Sequence, residues 1–201
     1  HRTSRRQRQM CIRDRYASSK GLGETYIRDE FEKTVILRPS IIFGPDDNFF
    51  NRFANLAAFA PFLPLIGGGT TKFQPVYVKD VASAIMVALE DSAKVGNDYE
   101  LGGPSIYSFR ELLELLEEHT LRKRALVNIP FFLASLQAKF LEILPNPPLT
   151  RDQVQLLKTD NIVSQDALTL QDLGISPTSC EAVLPTCLLY TSPSPRDFES
   201  S

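Results

Sequence analysis

The chain contains no tryptophan, two methionines, two histidines and three cysteines among its 201 residues. So few cysteine and histidine side chains exclude a disulfide framework and a His/Cys zinc site. His119 has no second histidine or cysteine near it in the sequence. No run of about eighteen uninterrupted apolar residues exists, so no segment reads as a membrane-spanning helix. Gly67-Gly68-Gly69-Thr70 lacks a following Lys-Ser/Thr and helix. It reads as a flexible turn, not a phosphate-cradling P-loop. Repeats and low-complexity tracts are missing from residues 16–186.

Both ends are expected not to be native protein. Met10-Cys11-Ile12-Arg13-Asp14 is encoded by ATG TGT ATA AGA GAC, whose reverse complement is GTCTCTTATACACAT. With a T in front, that string translates as Cys-Leu-Leu-Tyr-Thr, the run Cys187–Thr191. Two ends of a natural protein have no reason to be reverse complements, and both resemble translated transposon-end sequencing adapters. Residues 1–15 and 187–201 are therefore set aside. Without them Lys+Arg falls from 22 to 15 and Asp+Glu from 24 to 21, and the net charge moves from −2 to −6. The apparent basic arm disappears, and with it a charge-driven nucleic-acid function. Cys180 is then the single cysteine, which fits a reducing compartment. The native N-terminus is expected to be missing, so the lack of a visible signal peptide carries no meaning. Residues 16–186, about 171 positions, suffice to bury one core.

Tyr16 to Pro45 is the most informative stretch. Tyr16 and Lys20 are four apart, so on a helix they lie about one turn from each other on one face. An ammonium beside a phenol favours the phenolate, which makes Tyr16 a candidate acid/base. A helix over Ser18–Phe31 is predicted, with Gly23 costing about 1 kcal/mol against alanine. Thr34–Leu37, apolar and β-branched, reads as a buried parallel strand. Ligands of open α/β sheets sit beyond the carboxyl ends of such strands. Pro39, Ser40 and Ile41 occupy that position, where backbone groups around Pro39 can face a planar amide. An ordinary strand-ending proline is the plainer alternative.

Further along, Asp46-Asp47-Asn48 reads as a cap for a helix carrying Phe49, Phe50, Phe53, Leu56 and Ala57, ended by Pro61 and Pro64. Arg52 projects from that helix, as a solvated surface group or a contact for a substrate anion. Asp80 is predicted to be the N-cap of a helix running to about Leu89. Asn97–Leu101 reads as a short strand. Ser108 and Glu111 form a capping box for a leucine-faced helix. Pro130 opens another helix, on which Phe132, Leu136, Phe140 and Leu144 make an apolar stripe. Core packing is the ordinary use of such a stripe, with a membrane surface or a partner as alternatives. Thr150 caps a short helix, and a loop-rich tail follows.

Taken in order, the Tyr–Lys pair, its helix, Leu37-Arg38-Pro39-Ser40 and Phe43-Gly44-Pro45 resemble the extended short-chain dehydrogenases, the epimerase/dehydratase-like group. Within it the chain is similar to the family of the Rossmann-type accessory subunit of respiratory complex I and its bacterial relatives. The matching runs are Val35 to Pro45, Phe49 to Phe53, Leu65 to Gly69, Phe73 to Val78, Tyr99 to Pro104 and Pro148 to Val154. The resemblance implies an α/β fold: the C-terminal half of a Rossmann-type parallel sheet over residues 16–105, then a mainly helical substrate or partner portion over 106–186. It also implies bound NADP or NAD, held through Tyr16, Lys20, Pro39, Ser40 and Ile41. Complex I subunits are the implied partners. The implied location is cytoplasmic, or peripheral at the inner membrane, or the mitochondrial matrix in a eukaryote. Gly23 is implied to pack closely on a neighbour, whereas Gly21 departs from the usual alanine.

The glycine-rich turn that seats a pyrophosphate on a helix N-terminus, and the Ser or Thr of the family's triad, are expected upstream of Tyr16. Two readings stay open. One is a scaffold subunit that holds NADP(H) without turnover. The other is an active NAD(P)-dependent reductase, epimerase or dehydratase using Tyr16 as acid/base, with Lys20 binding the nicotinamide ribose. Strands lacking their sheet partners fold weakly, so residues 16–186 expressed alone should melt with poor cooperativity. A sharp high-temperature transition by circular dichroism would refute this.

Overall fold

A computed structural model of the protein describes residues 15–142 and 149–188. Helix α1 spans Arg15–Glu30 and leads into strand β1, Ile36–Pro39. After β2 (Ile42–Phe43) come α2 (Phe50–Phe59), β3 (Phe62–Ile66), β4 (Lys72–Phe73) and β5 (Val76–Tyr77). Helix α3 (Val78–Glu90) then leads to β6 (Asp98–Leu101) and β7 (Tyr107–Ser108). The rest is α4 (Phe109–Thr120), β8 (Ala125–Ile129), α5 (Phe131–Leu141), α6 (Arg151–Leu156) and α7 (Cys180–Leu188). The strands form four two-stranded ladders. β1–β6, β2–β5 and β3–β8 are parallel, and β4–β7 is antiparallel.

The main apolar cluster gathers Phe43 and α2, β3 and Phe73 with Phe109, Leu112, Leu113 and Leu116 of α4 and Cys180, Leu184 and Leu188 of α7. It thus joins residues from both sides of position 105. Phe109 is its hinge pin: the rings of Phe53, Phe49 and Phe73 stand 5.5, 6.1 and 6.4 Å from it, all edge-on, the arrangement that aromatic quadrupoles favour. A second cluster unites Val76, Ala84, Tyr99 and Leu101 with Leu170 and Leu173 of the C-terminal return. A third is small, with Ile66, Ala134, Ala138 and Val154.

Local signals account for several boundaries. Ser108 accepts from the Glu111 N–H at 3.2 Å while Glu111 accepts from the Ser108 N–H at 2.6 Å, and Thr150 with Gln153 repeats the device on α6. Asp47 Oδ1 accepts from the N–H groups of Phe49 and Phe50 at the start of α2.

Other expectations are corrected. β1 starts two residues later than the Thr34–Leu37 run, contains Pro39 and is half-buried, not fully buried. Pro64 does not stop a helix but sits within β3, opposite Val127. Asp80 lies in the first turn of α3, not at its cap, which is Tyr77. Its buried carboxylate instead accepts from the N–H and hydroxyl of Thr178, at 2.7 and 3.0 Å, and so fastens the C-terminal return. A side chain at Gly23 would meet nothing within 4 Å, so no described neighbour packs closely there. The Phe132–Leu136–Phe140 stripe faces outward, at 76%, 44% and 65% exposure, while Ala134 and Ala138 face in. These alanines pack with Ile66 of β3 and Val154 of α6, and Phe131 lies against the same cluster. Leu144 lies outside the described residues. The tail is loop-rich only to Ser179, since α7 follows and runs through Cys187 and Leu188, both buried.

Gln74 joins these parts. Its side-chain Nε2 donates to Gly103 O at 2.8 Å and its Oε1 accepts from the Val163 N–H at 3.0 Å. Gly103 is a required glycine, because a Cβ there would overlap the Pro75 carbonyl oxygen. Gln74→Leu strands a carbonyl and an N–H, and should lower stability by about 2–4 kcal/mol. Phe132→Ser on the outward stripe should change it by less than about 0.5 kcal/mol. Paired urea melts check both, and equal losses would contradict the assignment of inside and outside.

Candidate functional site

The carboxyl ends of β1 and β2 point to one region, and the sequence-predicted residues distribute around it unequally. Tyr16 lies in the first turn of α1, with its side chain outside those described. Lys20 follows one turn later on the same helix and is exposed. Pro39 is the last residue of β1 and is exposed. Ser40 is half-buried and fully engaged: its N–H donates to Leu101 O at 2.9 Å and its hydroxyl to Asn161 O at 2.8 Å. Ile41 gives its carbonyl to the Val76 N–H at 2.8 Å, and its side chain borders a cleft.

That cleft, about 510 Å³, is bordered by β2 and the residue before it, by residues 45–49 of the loop that follows, and by Val78 at the start of α3. Ile41, Phe43, Phe49 and Val78 supply its apolar lining, and Asp46 and Asp47 its charge. Gly44 shapes the wall, because a Cβ there would stand 2.7 Å from Val78 Cγ1. Arg52, exposed on α2, is not part of the lining. The structure therefore brings Ile41 to the cleft and leaves Lys20, Pro39, Ser40 and Arg52 off its lining. Asp47, Phe49 and Val78 escaped the sequence reading as site residues. The Asp47 cap and the Phe-Gly-Pro run were the available signals.

Local chemistry limits what the cleft accepts. Helix N-termini ordinarily attract anions through their unpaired N–H groups. Here Asp47 already occupies the N-terminus of α2, and Asp46 adds a second carboxylate. A phosphate would meet like charge, whereas a flat, uncharged or cationic ring would meet apolar walls. Nearby, Asn51 Nδ2 donates to Pro45 O at 2.8 Å, and its Oδ1 is buried without a partner. Elsewhere, burial pushes the Cys180 thiol up to about 12, which rules out a reactive thiolate. Among the described residues no cluster of His, Cys, Asp and Glu is arranged to hold a metal ion, and no helix is long and apolar enough to cross a membrane.

The fit to a nicotinamide is partial. Apolar lining next to Ile41 suits a planar ring, but the Ser40 N–H and Ile41 carbonyl are already used within the fold.

Comparison with known proteins agrees with the architecture. Residues 5–102 match the NAD dependent epimerase/dehydratase family. The chain is 38% identical over 173 residues to NADH dehydrogenase [ubiquinone] 1 alpha subcomplex subunit 9, mitochondrial, of Arabidopsis thaliana, covering 81% of this chain and 43% of that protein. The subunit of the same name from Mus musculus is 36% identical over 165 residues, covering 81% and 44%. The chain thus spans less than half the length of these curated relatives. Among solved structures, the dTDP-glucose 4,6-dehydratase DesIV of Streptomyces venezuelae, with NAD and TYD bound, superposes with a TM-score of 0.62 at 19% identity, over 87% of this chain and 50% of that one. This last likeness speaks to fold alone.

Burial holds the Asp47 carboxyl above its ordinary range despite its N–H partners. A raised folded value means that stability is fully present below the unfolded value and falls as pH rises through the folded one. Asp47→Asn keeps an acceptor for the cap and removes the titration. From about pH 4 to about pH 7 the stability difference should therefore move in favour of Asn. Denaturant titrations at both values check the sign, and a move in favour of Asp would contradict it.

Proposed function

We propose, from a chain whose residues 5–102 belong to the NAD dependent epimerase/dehydratase family, that the protein binds NADP(H) and serves respiratory NADH:quinone oxidoreductase. Its role there is in assembly or stability of the complex, or in quinone metabolism. The observation that carries this reading is the similarity to subunit 9 of that complex, which extends well past the family-matched residues into the helical C-terminal portion. The location that follows is the cytoplasm, or peripheral at the inner membrane, on its matrix face in a eukaryote. The outward apolar stripe of α5 supports contact with a partner or the bilayer surface.

A bound dinucleotide would supply or accept hydride. In this chain Lys20 would bind its ribose and favour the Tyr16 phenolate, and Ile41 would stand against the nicotinamide ring. Pro39 and Ser40 would contribute by holding the loop between β1 and β2 in shape. NAD in place of NADP is equally compatible with these residues. An active NAD(P)-dependent reductase, epimerase or dehydratase is the second reading. One observation favours it: Tyr16 and Lys20 fall on one unbroken helix at the spacing an acid/base pair requires. Arg52, exposed and off the cleft, supports a surface role more than a substrate contact.

The test uses the full gene product. Titration with NADPH should change its fluorescence saturably, and the protein should co-purify with complex I subunits. Tyr16→Phe should leave co-purification intact. Steady oxidation of NADPH with a sugar, ketone or quinone precursor, abolished in Tyr16→Phe, would place the enzyme reading first. Absence of both nucleotide binding and co-purification would defeat the proposal.

A further inference from the structure

Helix α1 carries the Tyr–Lys pair, yet no residue from Ser19 to Phe31 belongs to any of the three apolar clusters. Leu22, Tyr26 and Ile27 are each at least half exposed. Charged side chains tie it to the body. Arg38 of β1 grips Glu24 with two parallel hydrogen bonds, Nε to Oε1 at 2.9 Å and Nη2 to Oε2 at 2.6 Å. The same Nη2 donates to Asp98 Oδ2 of β6 at 2.8 Å, and Arg28 of α1 pairs with the other Asp98 oxygen. Glu24, Arg38, Asp98 and Arg28 thus form an alternating chain of charge between one helix and two paired strands. All four are between a quarter and two-fifths exposed. Bidentate, partly desolvated pairs are stronger than surface ones, and they remain within reach of salt.

The spacing gives this cluster a consequence. Positions 16, 20, 24 and 28 succeed one another at intervals of four, which places them along one side of a helix with a slow drift. The side of α1 bound to the sheet edge is therefore continuous with the side that bears Tyr16 and Lys20. We propose that the Arg38 cluster is a clasp setting how the Tyr16–Lys20 side of α1 stands over the strand ends, so that Arg38 is a positioning residue for that pair. This rests on the reading above that the pair serves a bound dinucleotide. Hydrogen bonding to Glu24 holds the Arg38 guanidinium even more firmly protonated than usual, so salt, not loss of the arginine charge, is the lever that opens the clasp. Lysine cannot replace the bidentate grip.

Hydrogen exchange by mass spectrometry on the full gene product decides the mechanical half. Arg38→Met should lower protection of α1 amides about tenfold, leaving α4 and the β3–β8 ladder unchanged. Arg38→Lys should recover only part of that loss, and about 1 M salt should reproduce it in the wild type. Unchanged α1 protection in Arg38→Met, or a loss spread evenly over α1 and α4, overturns the clasp. NADPH titration decides the positioning half: Arg38→Met should weaken binding by about the same factor as it weakens α1 protection. Binding unchanged while α1 loosens overturns positioning. No NADPH binding to the wild type defeats the dinucleotide reading and positioning with it, while exchange still judges the clasp.

Discussion

The structure turns on the amide of Gln74. None of the four strand pairs shares a continuous ladder with another, so their mutual placement must come from elsewhere. Beside the apolar clusters, Gln74 ties two stretches together: the end of the β6 loop through Gly103, and the C-terminal return through Val163 and, by its own N–H at 3.1 Å, Asn161. Ser40 completes the junction, its hydroxyl bonded to the Asn161 carbonyl. Half-buried polar groups that satisfy each other hold these stretches in a defined geometry. The loop between β1 and β2, and therefore the wall that includes Ile41, takes its shape from this junction.

How much of this was legible in the sequence depended on whether the signal was local. The Ser108–Glu111 box, the Thr150 cap, the parallel character of β1 and the helix bearing Tyr16 and Lys20 were readable, because caps, β-branched runs and helical spacing act over a few residues. Asp80 was misread because a carboxylate early in a helix looks the same whether it caps that helix or receives Thr178, 98 residues away. The stripe on α5 misled for a related reason. Periodicity identifies two faces of a helix, but not which one packs, and here Ala134 and Ala138 face Ile66 and Val154 while Phe132, Leu136 and Phe140 face outward. β3 and β8 gave little signal, since Pro64 interrupts one strand and the other follows the charged run Arg122-Lys123-Arg124. The likeness of the matching runs to a dinucleotide-binding family survived all of these misreadings, because it rested on an ordered set of short motifs and not on any single element.

Two kinds of attachment coexist around the candidate site. The cleft wall is built on the aromatic core, where Phe43, Phe49 and Phe50 are packed against one another and against Phe109 through ring pairs. Such a wall changes shape only at the expense of core packing. Helix α1 is different, since its contacts with the body are charges at the margin of a half-buried strand. Elements with few buried apolar contacts open most readily. A ligand spanning both would meet one rigid partner and one adjustable partner.

That asymmetry bears on the chemistry the cleft permits. Asp47 satisfies the N–H groups at the start of α2, and Asp46 stands beside it, so the one helix N-terminus at the cleft is closed to a phosphate by its own side chain. A dinucleotide reaching this region would therefore present its ring, not its phosphates, to the Ile41–Phe43–Val78 wall. Any group reacting with that ring would enter an apolar, carboxylate-rimmed space. An anion there would meet the Asp46 and Asp47 carboxylates, at a Coulomb cost that no cation of the lining offsets. Carbonyl reduction of an apolar substrate and passive retention of the dinucleotide both satisfy this constraint. They part company at Tyr16: a proton donor must hold its distance from a reacting carbonyl within a few tenths of an ångström, a tighter requirement than a binding contact imposes.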